Sequence, residues 1–209
     1  MIIAGAGLVY MFEHANPDTL KPLSLQGKLL ASFFQSVTPR TAGYNTLDMS
    51  KLYDGTLFLL IILMFIGASP ASTGGGIKTS TTAVLMLAIW ALIRGRSDAE
   101  CFGRRIPKDI IYKAFSVMLI AFMLVVVVTM ALTITEHFSF ISILFEVTSA
   151  FGTVGLTTGI TPTLSSSGKV WLILTMFAGR VGPVTLALAI AMRSRKAQIQ
   201  YPDGKLIIG

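Results

Sequence analysis

Cysteine is almost absent from the chain. Cys101 stands alone among arginines, which excludes an internal disulfide framework and a cysteine-based metal site. Histidine is nearly as scarce: His14 and His137 lie far apart in sequence, each beside an apolar stretch, and read as interfacial polar residues rather than ligands. Charge is thin as well. Only 13% of residues are charged against 53% hydrophobic, with a mean hydropathy of +0.73, and an ordinary soluble domain does not have that balance. The run from Ala114 to Ile134 carries no charge and is long enough to cross a bilayer core of roughly 30 Å. Lipid is therefore the expected solvent. The net charge of +7 would suit nucleic acid in another setting, but in a membrane chain the position of the charges matters more than their sum. No nucleic-acid partner is expected.

Residues Met1 to Met11 are apolar, with no basic segment before them and no small-residue cleavage site, which argues against a secretory leader. The run is short for a span. It reads as the end of a membrane helix whose beginning is missing, with a short re-entrant segment as the competing reading. Four polar stretches separate the apolar runs, and their lysine and arginine content alternates. Arg94, Arg96, Arg104, Arg105, Lys108 and Lys113 crowd one stretch, and Arg193, Arg195, Lys196 and Lys205 mark the tail. Both should be cytoplasmic, and the poorer stretches, His14 to Lys51 and Glu136 to Lys169, should face outward.

A shift of 112 residues reveals an internal repeat: Phe33 falls on Phe145, Ser36 on Thr148, Thr41 on Thr153, Gly43 on Gly155, Thr46 on Thr158 and Gly67 on Gly179. Each copy reads apolar span, short amphipathic segment, Thr-x-Gly turn, then another span, and each begins and ends on the basic side. The repeats are thus parallel. Helices are expected at 1–13, 26–38, 110–134, 138–150 and 169–192, with an interrupted span over 56–93. The two short helices cannot cross a membrane. They must enter from outside and return, which is tolerated only in protein or beside a wet cavity.

The two turns read Thr41-Ala42-Gly43-Tyr44 and Thr153-Val154-Gly155-Leu156. The second matches three positions of the Thr-Val-Gly-Tyr-Gly potassium filter, and the first matches its Thr, Gly and Tyr. Glycine allows the backbone angles and close approach that such a filter needs, and the short helix before each turn aims its negative dipole end at the same place. A Thr-x-Gly turn is also a commonplace helix C-cap, but two copies in the same setting favour the filter.

Residues 38–46 and 149–158 resemble the third and fourth filter loops of the Trk/Ktr/HKT potassium transporter family. The break at Gly67 to Thr81 strengthens the resemblance, since Gly74, Gly75 and Gly76 in succession cannot form a stable helix interior. Gly76-Ile77-Lys78-Thr79 is not a phosphate loop: Ile77 separates Gly from Lys and no strand precedes it. In the resembled family this stretch is an intramembrane gate below the filter, which would place Lys78 near the cavity. Arg180, deep in an apolar run, should face the interior of the bundle, and the resemblance assigns it a place beneath the filter. The tail is most like that of the bacterial Ktr membrane subunit.

The resemblance implies an all-α polytopic membrane protein of the plasma membrane, with two parallel helix, pore loop, helix repeats. Residues 1–95 would be the third repeat, 96–113 a cytoplasmic basic loop, 114–192 the fourth repeat and 193–209 a cytoplasmic tail. It implies potassium uptake, sodium stimulation as in a symporter, a homodimer, and a cytosolic nucleotide-binding regulatory ring as partner. It also implies two further N-terminal repeats absent from this sequence. Potassium, and sodium with it, would be the transported ion; neither a cofactor nor an enzymatic reaction is expected. The rivals are a secondary transporter with a midplane site at the broken helices, and an inactive two-repeat fragment.

Overall fold

Serine side chains open three of the helices. Ser24, Ser139 and Ser165 each turn a hydroxyl oxygen onto the backbone N–H three residues on, Gly27, Ser142 and Gly168 respectively, satisfying a donor that the first helical turn leaves unpaired. In the computed structural model, which describes residues 1–70, 72, 74–96 and 98–182, the helices are α1 (Ile2–Glu13), α2 (Leu25–Val37), α3 (Asp54–Ile66), α4 (Thr79–Ile93), α5 (Lys108–Thr135), α6 (Phe140–Phe151) and α7 (Ser166–Val181). Apart from the end of α7, their bounds fall within a few residues of those expected.

A two-residue antiparallel hairpin, β1 (Glu100–Cys101) and β2 (Arg104–Arg105), joins α4 to α5. Among the described residues the chain is otherwise helical, as expected, and this hairpin is an addition that the expected basic loop did not include. Phe102 and Gly103 turn with positive φ, and Arg105 pairs with Asp98 at 3.0 Å, which closes so short a ladder. A correction falls on the last span. The helix ends at Val181 because Gly182 takes a φ of 89°, outside any helix. Residues 183–192, and the tail with Arg193, Arg195, Lys196 and Lys205, lie outside the described residues.

Only α5, at 28 residues, is long and apolar enough to cross a membrane among the described residues. At about 1.5 Å per residue it spans roughly 42 Å, enough for the hydrocarbon core and part of the headgroups. Helices α1, α3, α4 and α6 are apolar but shorter. The short helix α6 lies at the centre, packed on α3, α5 and α7, and every residue from Phe145 to Phe151 is buried. One core gathers α5, α6 and α7 around Val128, Val147, Phe151 and Leu172, and reaches Ile77. The other gathers α3 around Leu60 and Met64 with Phe145, Val154 and Leu156. Large apolar side chains such as Phe122, Met130 and Phe177 remain exposed on the outside, as a surface facing lipid requires.

Candidate ion site

Both Thr-x-Gly turns hang from the C-terminal end of a short helix by bonds from their own amides. Ala42 and Gly43 N–H donate to the Thr38 carbonyl at 3.2 and 3.3 Å, while Thr153 N–H reaches Ala150 O at 3.1 Å and Val154 N–H reaches Ser149 O at 2.9 Å. The Thr38 hydroxyl donates to the carbonyl of Tyr44. Thr41 and Thr153, 112 residues apart, both take positive φ, 71° and 53°. A β-branched residue pays for that conformation, and it persists only where surrounding structure imposes it. Gly43 and Gly155 repeat the pattern at 71° and 91°.

The sign of φ therefore alternates along each turn: positive at threonine, negative at Ala42 or Val154, positive at glycine. In an extended chain of one hand, successive carbonyls point to opposite sides. Alternating hands bring them to one side, which is what a row of cation-coordinating oxygens needs. The two turns also touch. A Cβ added at Gly43 would collide with the Val154 carbonyl oxygen, so the third residue of one turn packs on the second of the other.

The glycine-rich break meets both turns. It leaves α3 at Gly67 with a φ of 66° and returns at Gly76 with 75°, and Ile77 N–H to Phe65 O at 3.1 Å ties the two limbs together. A Cβ at Gly74 would lie 2.7 Å from Thr41 Cγ2, and one at Gly75 would lie 2.7 Å from both Thr153 Cγ2 and Oγ1. Gly75 N–H donates to Thr153 Oγ1 at 2.9 Å. Lys78, at the N-cap of α4, donates its ammonium to the carbonyls of Gly74 and, at 3.2 Å, Ser72. It serves the loop's own carbonyls, and its charge meets part of the demand for donors in that stretch. Arg180 lies exposed at the end of α7; the neighbouring Gly179 lets that helix approach so closely that a Cβ would strike the Phe151 carbonyl.

Three glutamates that sequence reading left without a role hold this frame. Glu13, fully buried at the end of α1, accepts from Tyr53 N–H at 2.9 Å and Thr56 Oγ1 at 2.5 Å on one oxygen, and from Asn16 Nδ2 at 2.7 Å and Thr19 Oγ1 at 2.6 Å on the other. Glu136, just past α5, accepts from Ser165 N–H at 3.2 Å and from the Ser165 hydroxyl. Tyr53 and Ser165 are both N-caps and both stand 112 residues apart, so each repeat pins its third helix to its first through a glutamate. Glu146, within α6, binds Thr157, Thr158 and Thr161 beyond the second turn. A carboxylate inside an apolar stretch was the available signal, because such a group must be paired.

Residues 6–199 match the family described as TrkH, cation transport protein. The chain is 45% identical over 201 residues to the Ktr system potassium uptake protein B of Bacillus subtilis, covering 96% of this chain and 45% of that protein. It is 38% identical over 209 residues to the protein of the same name from Vibrio alginolyticus, covering 100% and 46%. It is 36% identical over 215 residues to the potassium/sodium uptake protein NtpJ of Enterococcus hirae, covering 100% and 48%. The chain spans about half the length of the curated relatives it matches.

Proposed function

The chain belongs to the TrkH family of cation transport proteins and is a membrane protein, and from this we propose that its two Thr-x-Gly turns form half of a potassium filter in an uptake pore. The observation that carries the reading is the shared geometry of the turns. Thr41 and Thr153 are held at positive φ, Gly43 and Gly155 likewise, and the turns abut at Gly43 and Val154. The carbonyls of Thr41, Ala42, Gly43 and Tyr44, and of Thr153, Val154, Gly155 and Leu156, would replace part of the ion's hydration shell. Potassium is the ion that the names of the relatives support, and the name of the Enterococcus hirae relative adds sodium.

Two parallel repeats of helix, pore loop and helix, residues 1–95 and 114–192, would supply two quarters of the filter. Two further repeats would close it, a reading supported by relatives about twice as long. The chain would then cross the plasma membrane several times, with 96–113 and 193–209 on the cytoplasmic side. The loop at Gly74, Gly75 and Gly76 would be the gate: it rests on both filter threonines and is braced by Lys78. Arg180 would add a fixed positive charge on the pore side of α7, opposing a cation below the filter. A homodimer, a nucleotide-binding regulatory ring and sodium-stimulated uptake complete the proposal for the assembled protein.

Rescue of a bacterial strain lacking potassium uptake tests the reading. The four-repeat protein should restore growth at low potassium, and this chain expressed by itself measures whether two copies can make a pore. No rescue by the four-repeat protein, at confirmed membrane expression, contradicts the proposal.

A further inference from the structure

We propose that Glu146 is a specificity-determining positioning residue, a carboxylate clasp behind the second filter turn that has no equal behind the first; this rests on the filter reading above. The residue is 5% exposed. Oε1 accepts from Thr157 Oγ1 at 2.6 Å, Thr158 N–H at 2.9 Å and Thr158 Oγ1 at 3.3 Å, and Oε2 accepts from Thr161 Oγ1 at 2.7 Å. Every one of these donors is neutral, so the clasp gathers dipoles around the carboxylate without cancelling its charge.

The clasp begins at the residue directly after Leu156. At the other end of the turn, Thr153 and Val154 are tied to α6 through Ala150 and Ser149. The four candidate carbonyls are thereby held between two anchors on the same helix. The clasp also lines a cavity of about 460 Å³ together with Thr153, Val154, Gly155 and Leu156, so its charge acts on the filter backbone through little intervening protein.

The first turn is built differently. Phe34 stands 112 residues before Glu146, and the buried polar side chain next to it, Gln35, donates to Met49 Sδ at 3.1 Å. Met49 is the repeat equivalent of Thr161. Helix α2 thus reaches the same place beyond its turn with one weak bond to sulfur, and the Gln35 side-chain oxygen is buried without a partner among the described residues. One turn has a charged, fourfold brace and the other only two neutral side-chain bonds, Gln35 to Met49 and the Thr38 hydroxyl to the Tyr44 carbonyl. The second turn is the stiffer and the more negative, and it contributes more to discrimination between potassium and sodium.

The test uses the four-repeat protein, with potassium and sodium uptake measured at matched membrane expression. Glu146→Gln keeps the shape and removes the charge. It should raise the KM for potassium and lower the potassium/sodium uptake ratio about tenfold, as loss of charge-assisted bonds predicts, together with a lower melting temperature, because the Gln amide nitrogen cannot accept from the donor it then faces. Thr161→Val, which keeps the charge and removes one donor, should move the same ratio less. Gln35→Leu should move it less than Glu146→Gln does. A Glu146→Gln protein with an unchanged ratio, or uptake reduced only in proportion to folded protein, overturns the inference. Gly155→Ala separates the two levels. If it shifts the ratio while Glu146→Gln does not, the clasp fails and the filter stands; if neither shifts it, both fall.

Discussion

The backbone amide of Gly75 donates to the hydroxyl of Thr153 across 2.9 Å, linking two residues 78 positions apart. One belongs to the glycine-rich break, the other to the second Thr-x-Gly turn. Neither could reach the other with a larger residue at 75, because a Cβ there would lie 2.7 Å from the threonine side chain and 3.0 Å from the Gly152 carbonyl. On the proposed reading of that turn as part of a filter, a loop bound to it is in position to sense or obstruct whatever passes.

Gly75→Ala should therefore push the loop off Thr153 and raise potassium flux in the four-repeat protein, leaving the potassium/sodium ratio intact. Flux measured in reconstituted vesicles checks this. Lower or equal flux at normal selectivity would mean that the loop only kinks the chain.

Lys78→Met should loosen the same loop from the other side, since it leaves the carbonyls of Gly74 and Ser72 without their ammonium donor. Gly74 is half-buried and Ser72 exposed, so water replaces part of what is lost and each bond contributes about 0.5–1.5 kcal/mol. We expect higher flux and faster proteolytic cleavage within 67–78; an unchanged cleavage rate would count against Lys78 as the brace.

Much of this arrangement was legible in the sequence. The apolar runs place all seven α-helices of the described residues, and the Thr-x-Gly repeat locates both turns, because each signal is local or strictly periodic. Glu13, Glu136 and the hydrogen bonds of the loop were not legible. Glu13 finds Tyr53 across 40 residues and Glu136 finds Ser165 across 29, and no local pattern encodes which distant N-cap a carboxylate will meet. The hairpin at 100–105 escaped for another reason: it has only two residues per strand and depends on its turn rather than on alternation. The end of α7 at Val181 depends on one φ value at Gly182, which an apolar run conceals.

The glutamate pins give a stability prediction. Glu13→Ala leaves Tyr53 N–H, Thr56 and Thr19 without their buried acceptor and Asn16 with only the Lys51 carbonyl, and hydrogen bonds to a charged group contribute about 1.5–3 kcal/mol each. The detergent-solubilised protein should melt several degrees lower. Gly168→Ala should do similar harm in the second repeat, where its Cβ would lie 2.5 Å from Glu136 Oε1. Thermal melts of both variants check this, and unchanged melting in both would remove the pins from the account.

Orientation follows from the basic stretches. A cysteine placed at the exposed Ser166 should be labelled by an impermeant thiol reagent in intact cells, while native Cys101, in the hairpin, should react only after permeabilisation. The reverse pattern would put the filter on the wrong side of the membrane.

The most direct measurement of the central claim is the potassium/sodium uptake ratio of Gly43→Ser in the four-repeat protein, at matched membrane expression. A side chain at Gly43 would collide with the Val154 carbonyl and would hold a strained backbone angle, so both turns are disturbed at their point of contact. A filter predicts that sodium competes markedly better and that the ratio falls several-fold. A ratio equal to that of the parent, with transport retained, would contradict the assignment of the two turns as the ion-selecting site.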